Sequence, residues 1–163
     1  MSTARAPTPP ALARNGGFTL LEVLVAVAIV GVLVGLAIPS MSALVAKQRL
    51  RGASNDLFSS LIAARSEALK RNLPVTVSSV NGTQWQGGWS TANPTVNATD
   101  MLDQHAAIAN ATITGPASVT FNTNGRLTNG ATPTFDVSVQ GTTSLRCLKI
   151  DLSGRPFITQ SAC

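Results

Sequence analysis

Hydrophobic and polar positions divide the chain into four stretches. Residues 1–17 (MSTARAPTPPALARNGG) are polar and basic, and Pro7, Pro9 and Pro10 keep them from forming a helix before Ala11. From Val23 to Ala46 no residue is charged. At 1.5 Å rise per residue that run exceeds the roughly 20 residues needed to cross a bilayer core. A secretory signal peptide accounts for it poorly, because its apolar region is about 7–15 residues and the run ends in Leu44-Val45-Ala46, a poor cleavage site.

After Ala46 the period becomes amphipathic. Leu50, Leu57, Leu61, Ala64 and Ala68, with Phe58 and Ile62 beside them, recur at helical spacing and predict a helix to about Asn72. Its other face carries Lys47, Arg49, Arg51, Asp56, Arg65, Glu67, Lys70 and Arg71 and reads as solvated, with lipid headgroups near Lys47 to Arg51. Pro39 removes one helical hydrogen bond and predicts a kink. Pro74 stops the helix.

Alternation at Val75–Val80, Gln84–Trp89, Val119–Asn122, Phe135–Val139, Leu145–Leu152 and Phe157–Thr159 then predicts strands, with Asn81-Gly82 and Ser153-Gly154 as turns. Ser90–Pro116 reads as a loop with a short strand near Ala111–Thr114. The expected class is α+β: a long helix packed on a small antiparallel sheet. The expected divisions are a leader at 1–17, a transmembrane and assembly helix at 18–46, an amphipathic continuation at 47–72 and a β-rich head at 73–163.

Composition sharpens this picture at two points. Apolar residues make up 44% and charged residues 12%, with the apolar excess near the N-terminus, as expected for one membrane segment followed by a Ser/Thr/Asn-rich exterior domain. The formal charge is +5, but Arg5 and Arg14 lie in the leader, so the remainder has ten basic and seven acidic residues, or +3. That excess is too mild to define a nucleic-acid or lipid partner.

Cys147 and Cys163 are spaced for a single disulfide loop, which implies an oxidising compartment; two free thiols remain the alternative. Catalytic chemistry has little to stand on. His105 is the sole histidine, with no nucleophile or paired carboxylate in pattern around it, and two cysteines and one histidine fall short of a structural zinc set. Asp100 and Asp103 read as loop-solvating acids. No enzymatic activity, cofactor or metal is expected.

The junction Asn15-Gly16-Gly17-Phe18-Thr19-Leu20-Leu21-Glu22 carries the most information, with glycine ending a basic leader and one acid interrupting an apolar helix. Here the chain resembles the type IV pilins and type II secretion pseudopilins. The resemblance implies cleavage by a membrane-embedded prepilin peptidase after Gly17 and N-methylation of Phe18, with the N-terminus cytoplasmic and the head periplasmic. It also implies that Glu22 pairs with the terminal ammonium of a neighbouring subunit. This suits an acid that costs on the order of 3 kcal/mol to place near the centre of an apolar helix. A Glu22 snorkelling to the interface is the plainer alternative. Gly31 and Gly35 form a weak small-xxx-small pair.

Leu61–Pro74, Trp85-Gln86-Gly87-Gly88-Trp89, Phe121–Arg126 and the ending from Leu145 to Cys163 narrow the resemblance to the GspH/FimT branch. The two C-terminal cysteines are more similar to minor type IV pilins of the FimT and FimU kind. That resemblance implies a low-abundance subunit that initiates or caps a pilus in contact with minor and major pilins; the alternative is a GspH-like pseudopilin. DNA-uptake pilins of this branch carry a Gly-Arg-x-Arg loop, of which Gly154-Arg155-Pro156-Phe157 is half. Arg126, Arg146, Lys149 and Arg155 are the candidate phosphate contacts, with one arginine fewer than that loop supplies.

Overall fold

A computed structural model describes residues 17–95, 100–128 and 130–163, with the side chains of residues 36–40 excepted. The leader expected at 1–17 therefore lies outside the described residues up to position 16. The chain divides into two compact units, 1–38 and 39–163. Pro39, the expected kink, opens the second, and its side chain is outside the described set.

Helix α1 spans Leu20–Arg71. Its start is a capping device, since the Glu22 N–H donates to Thr19 Oγ1 at 3.2 Å and to the Thr19 carbonyl at 3.1 Å. Thr19-x-x-Glu22 is the sequence form of a capping box. At the other end Glu67 pairs with Lys70 and Arg71. Asn72 then turns left-handed at φ 53°, two residues before Pro74.

The head carries eight antiparallel strands: β1 (Val75–Asn81), β2 (Gln84–Ala92), β3 (Met101–His105), β4 (Ala111–Thr114), β5 (Ser118–Phe121), β6 (Thr134–Val139), β7 (Arg146–Ile150) and β8 (Pro156–Thr159). The order is β5-β1-β2-β4-β6-β7-β8, with β3 also on β2. Strand β2 shares one edge with β1. On the other edge it meets β4 at Gln84↔Thr114 and β3 from Trp89↔His105 onward.

Two details differ from the sequence expectation. Within Ser90–Pro116 the short strand falls at Ala111–Thr114 as expected, but β2 also runs on to Ala92 and β3 pairs with it. Met101–His105 alternates poorly and is half exposed, so backbone pairing with β2 makes it a strand without a hydrophobic signature. The first hairpin turns on Gly82-Thr83, one residue later than Asn81-Gly82. Asn81 stays in register with Gln84 past a bulge, Ser79 Oγ accepts its N–H at 3.2 Å, and only Gly82 (φ 65°) needs the left-handed region.

The core lies within residues 39–163. Leu50, Leu57 and Leu61 on α1 share its inner face with Ala53, Ala64 and Ala68, and all six are buried. Small residues on the helix leave room for large ones on the sheet. Trp85, Trp89, Phe121 and Phe135 are each fully buried. Trp85 meets Phe135 edge-on at 5.1 Å and donates its indole N–H to the Pro116 carbonyl at 2.7 Å, so a polar group is satisfied inside the core. The helical stripe expected from Leu50 to Ala68 thus faces the sheet, with Phe58 half buried and Ile62 exposed at its margin.

Cys147 and Cys163 form a disulfide with Cα atoms 5.0 Å apart. It ties the segment after β8 to β7, and the Cys163 N–H donates to Asp136 Oδ1 at 2.9 Å. A loop of this length is worth about 3 kcal/mol in the chain-entropy account. Cys147→Ser/Cys163→Ser is therefore expected to lower unfolding stability by about that amount. Chemical denaturation with and without reductant measures this, and reductant should leave the double mutant unchanged.

Candidate functional site

The N-terminal unit presents exposed apolar surface among the described residues. Phe18 and Leu20 are each 82% exposed, and apolar side chains remain exposed through Val34. A helix that is apolar all round stands in a medium or against partners of like character. Among the described residues no helix is long and apolar enough to cross a membrane. The uncharged run 23–46 is described in two pieces, side chains being described to 35 and again from 41.

Phe18 precedes the cap and shares a shallow apolar groove with Val23, the staple pair of a capped helix. Glu22 is exposed in the first turn, where an acid complements the positive end of the helix dipole. Glu22 therefore has a local role that the sequence carried in Thr19-x-x-Glu22 and that the pilin resemblance overshadowed. Gly17 is exposed, with open space where a Cβ would go.

The four basic candidates do not share one face of the head. Arg126 and Arg155 are exposed on neighbouring loops. Each loop closes on an acidic or amide side chain. Asn122 Oδ1 accepts the N–H groups of Asn124 and Arg126, each at 3.0 Å, and Asp151 Oδ1 accepts that of Arg155 at 2.9 Å. The loops touch at Gly154, where a Cβ would fall 2.0 Å from the Gly125 carbonyl oxygen, so glycine is required for both its φ of 79° and this approach.

Arg65 fastens the two loops to α1, donating to the Gly125 carbonyl at 2.8 Å and the Ser153 carbonyl at 3.3 Å. This differs from the solvated role expected of Arg65. Its placement depended on loop contacts distant in sequence, which helical periodicity does not encode. The Ser153 hydroxyl, then the Arg155 N–H, holds the Asp151 carboxyl below its ordinary range; the Arg71 guanidinium does the same for Glu67.

Arg146 and Lys149 lie on opposite faces of β7. Arg146 pairs with Val137 on the helix-facing side, while Lys149 pairs with Phe157 on the outer side. Arg126 and Arg155 are brought together, then, with Lys149 on the β7 face that Asp151 shares and Arg146 on the opposite one. His105 sits on β3 instead of in a loop, stacked on Trp89 at 4.0 Å with Nε2 3.7 Å from Asp56 Oδ2. Among the described residues no group of three His, Cys, Asp or Glu side chains is placed to hold a metal ion.

One long helix whose second half packs on an antiparallel sheet, preceded by a capped and exposed apolar segment, defines a pilin-type subunit. Residues 53–154 match the family described as type II transport protein GspH, and the chain belongs to that family. Residues 12–38 match the prokaryotic N-terminal methylation motif, which includes Gly17 to Glu22. Two crystal forms of the type IV minor pilin FimU of Pseudomonas aeruginosa (strain PAO1) share the fold. The first has a TM-score of 0.63 at 24% identity and covers 72% of this chain and 94% of that one. The second has a TM-score of 0.61 at 24% identity, with 69% and 96% covered. No curated protein matches the chain.

Proposed function

We propose that this chain is a minor type IV pilin, anchored in the inner membrane by residues 18–46 with a cytoplasmic N-terminus and a periplasmic head, that helps to initiate or cap a filament. The supporting observation is the exposed apolar surface of Phe18 to Val34 beside a single exposed acid, Glu22. Lipid covers that surface before assembly, and the helices of other pilins cover it afterwards. Prepilin peptidase cuts after Gly17 and methylates Phe18, and the disulfide suits a periplasmic head.

The second reading, a GspH-like pseudopilin, draws on the family match over residues 53–154. DNA uptake draws on the adjacency of Arg126 and Arg155, although Arg146 lies on the opposite face of β7 from Lys149. Affinity capture from sheared filaments separates the first two: the chain should be recovered with pilins. Recovery with secretion-system subunits alone would overturn the pilus assignment in favour of the pseudopilin.

A further inference from the structure

Three cations follow the end of the uncharged run on α1, and a fourth opens β7. Lys47, Arg49 and Arg51 are exposed on α1 directly after Ala46, and Arg146 opens β7. The loop leading into β7 lies against this part of the helix, since a Cβ on Gly141 would sit 3.3 Å from Ala46 Cβ. Arg146 therefore stands at the same level as Lys47 to Arg51, on the helix-facing side of the sheet.

Arg146 lines a groove of about 320 Å³ with Leu50, Thr143, Ser144, Gln160 and Ser161. No acidic side chain contributes to its lining. The volume is within the range of small-molecule sites, about 300–1000 Å³. The disulfide fixes the wall that contains Gln160 and Ser161, because Cys163 is held to Cys147 at the start of β7.

Basic residues elsewhere on the helix are occupied: Arg65 by two loop carbonyls, Lys70 and Arg71 by Glu67. The side chains of Lys47, Arg49, Arg51 and Arg146 have no hydrogen bond or ion pair among the described residues. A guanidinium flanked by hydroxyl and amide groups, with three further cations on the adjoining stretch of helix, matches a phosphate monoanion.

We propose that this groove binds the headgroup phosphate of an anionic phospholipid, with Arg146 as the phosphate ligand and Lys47, Arg49 and Arg51 as the surrounding field. The site rests on the membrane-anchored reading above, and it sets the head down on the bilayer surface. Duplex DNA offers the same phosphate chemistry, but a groove at the end of the uncharged helix is positioned for lipid.

The test uses the full chain in nanodiscs of equal phosphatidylglycerol and phosphatidylcholine, with retained lipids counted by native mass spectrometry after mild extraction. Wild type should retain phosphatidylglycerol preferentially. Arg146→Ala should lower that preference about fivefold, the factor for about 1 kcal/mol per basic residue at an anionic surface, and Arg146→Lys should keep most of it. Equal retention by wild type and Arg146→Ala overturns the site while leaving the anchor intact. Failure of the wild-type chain to enter nanodiscs overturns the anchor itself. An Arg146→Ala defect confined to duplex DNA binding also overturns the lipid assignment.

Discussion

Glu22→Val is expected to leave the chain inserted in the membrane and to cut its recovery in filaments at least tenfold. Valine removes an insertion cost on the order of 3 kcal/mol for a carboxylate within an apolar helix, so anchoring should not weaken. It also removes the acid at the third helical position. The cap itself persists, because the Thr19 Oγ1 bond is to the Glu22 backbone N–H. Losing the acid from the first turn costs about 0.3–1 kcal/mol, which cannot melt a helix that runs from Leu20 to Arg71.

The charged role and the capping role separate in a second variant. Glu22→Gln keeps a side chain that serves in a capping box but carries no charge. If the carboxylate pairs with a neighbour's ammonium, Gln should fail as Val does. If Glu22 only shapes the first turn, Gln should assemble normally. Membrane fractions and sheared filaments blotted side by side provide both measurements, and wild-type recovery of Glu22→Val in filaments would end the pairing account.

The architecture was readable in the sequence wherever one face of an element is buried. Leu50, Leu57, Leu61 and Ala68 report their helix because the sheet buries every one of them, and Phe135, Val137 and Val139 report β6 in the same way. Strand β3 was not readable. Its side chains are half exposed, and its pairing with β2 is a backbone matter that leaves no period in Met101–His105.

The candidate site divides along the same line. Gly17, Phe18 and Glu22 are contiguous, so their pattern is visible in the chain itself. Arg65 and Arg146 take their meaning from neighbours 60 or more residues away: Gly125 and Ser153 for the first, Leu50 for the second. Spacing along α1 assigned Arg65 to solvent, and a shared positive charge grouped Arg146 with Arg126, Lys149 and Arg155. Register and loop contacts decide otherwise for both.

The other large effect should come from Gly17, and it can be tied to Glu22. Chain isolated from its native membrane is expected to begin at N-methylated Phe18, and Gly17→Val should leave it at its full length with Arg5 and Arg14 attached. Among the described residues a Cβ at Gly17 meets nothing within 4 Å, so the substitution crowds none of them. A defect therefore reports on processing and not on folding. Without cleavage position 18 has no free amine, so a neighbour's Glu22 loses the proposed partner. Gly17→Val and Glu22→Val then remove two ends of one contact, and the double variant should assemble no worse than either alone. Filament recovery falling further in the double variant, or a mature chain starting anywhere but Phe18, would show that the glycine and the glutamate act separately.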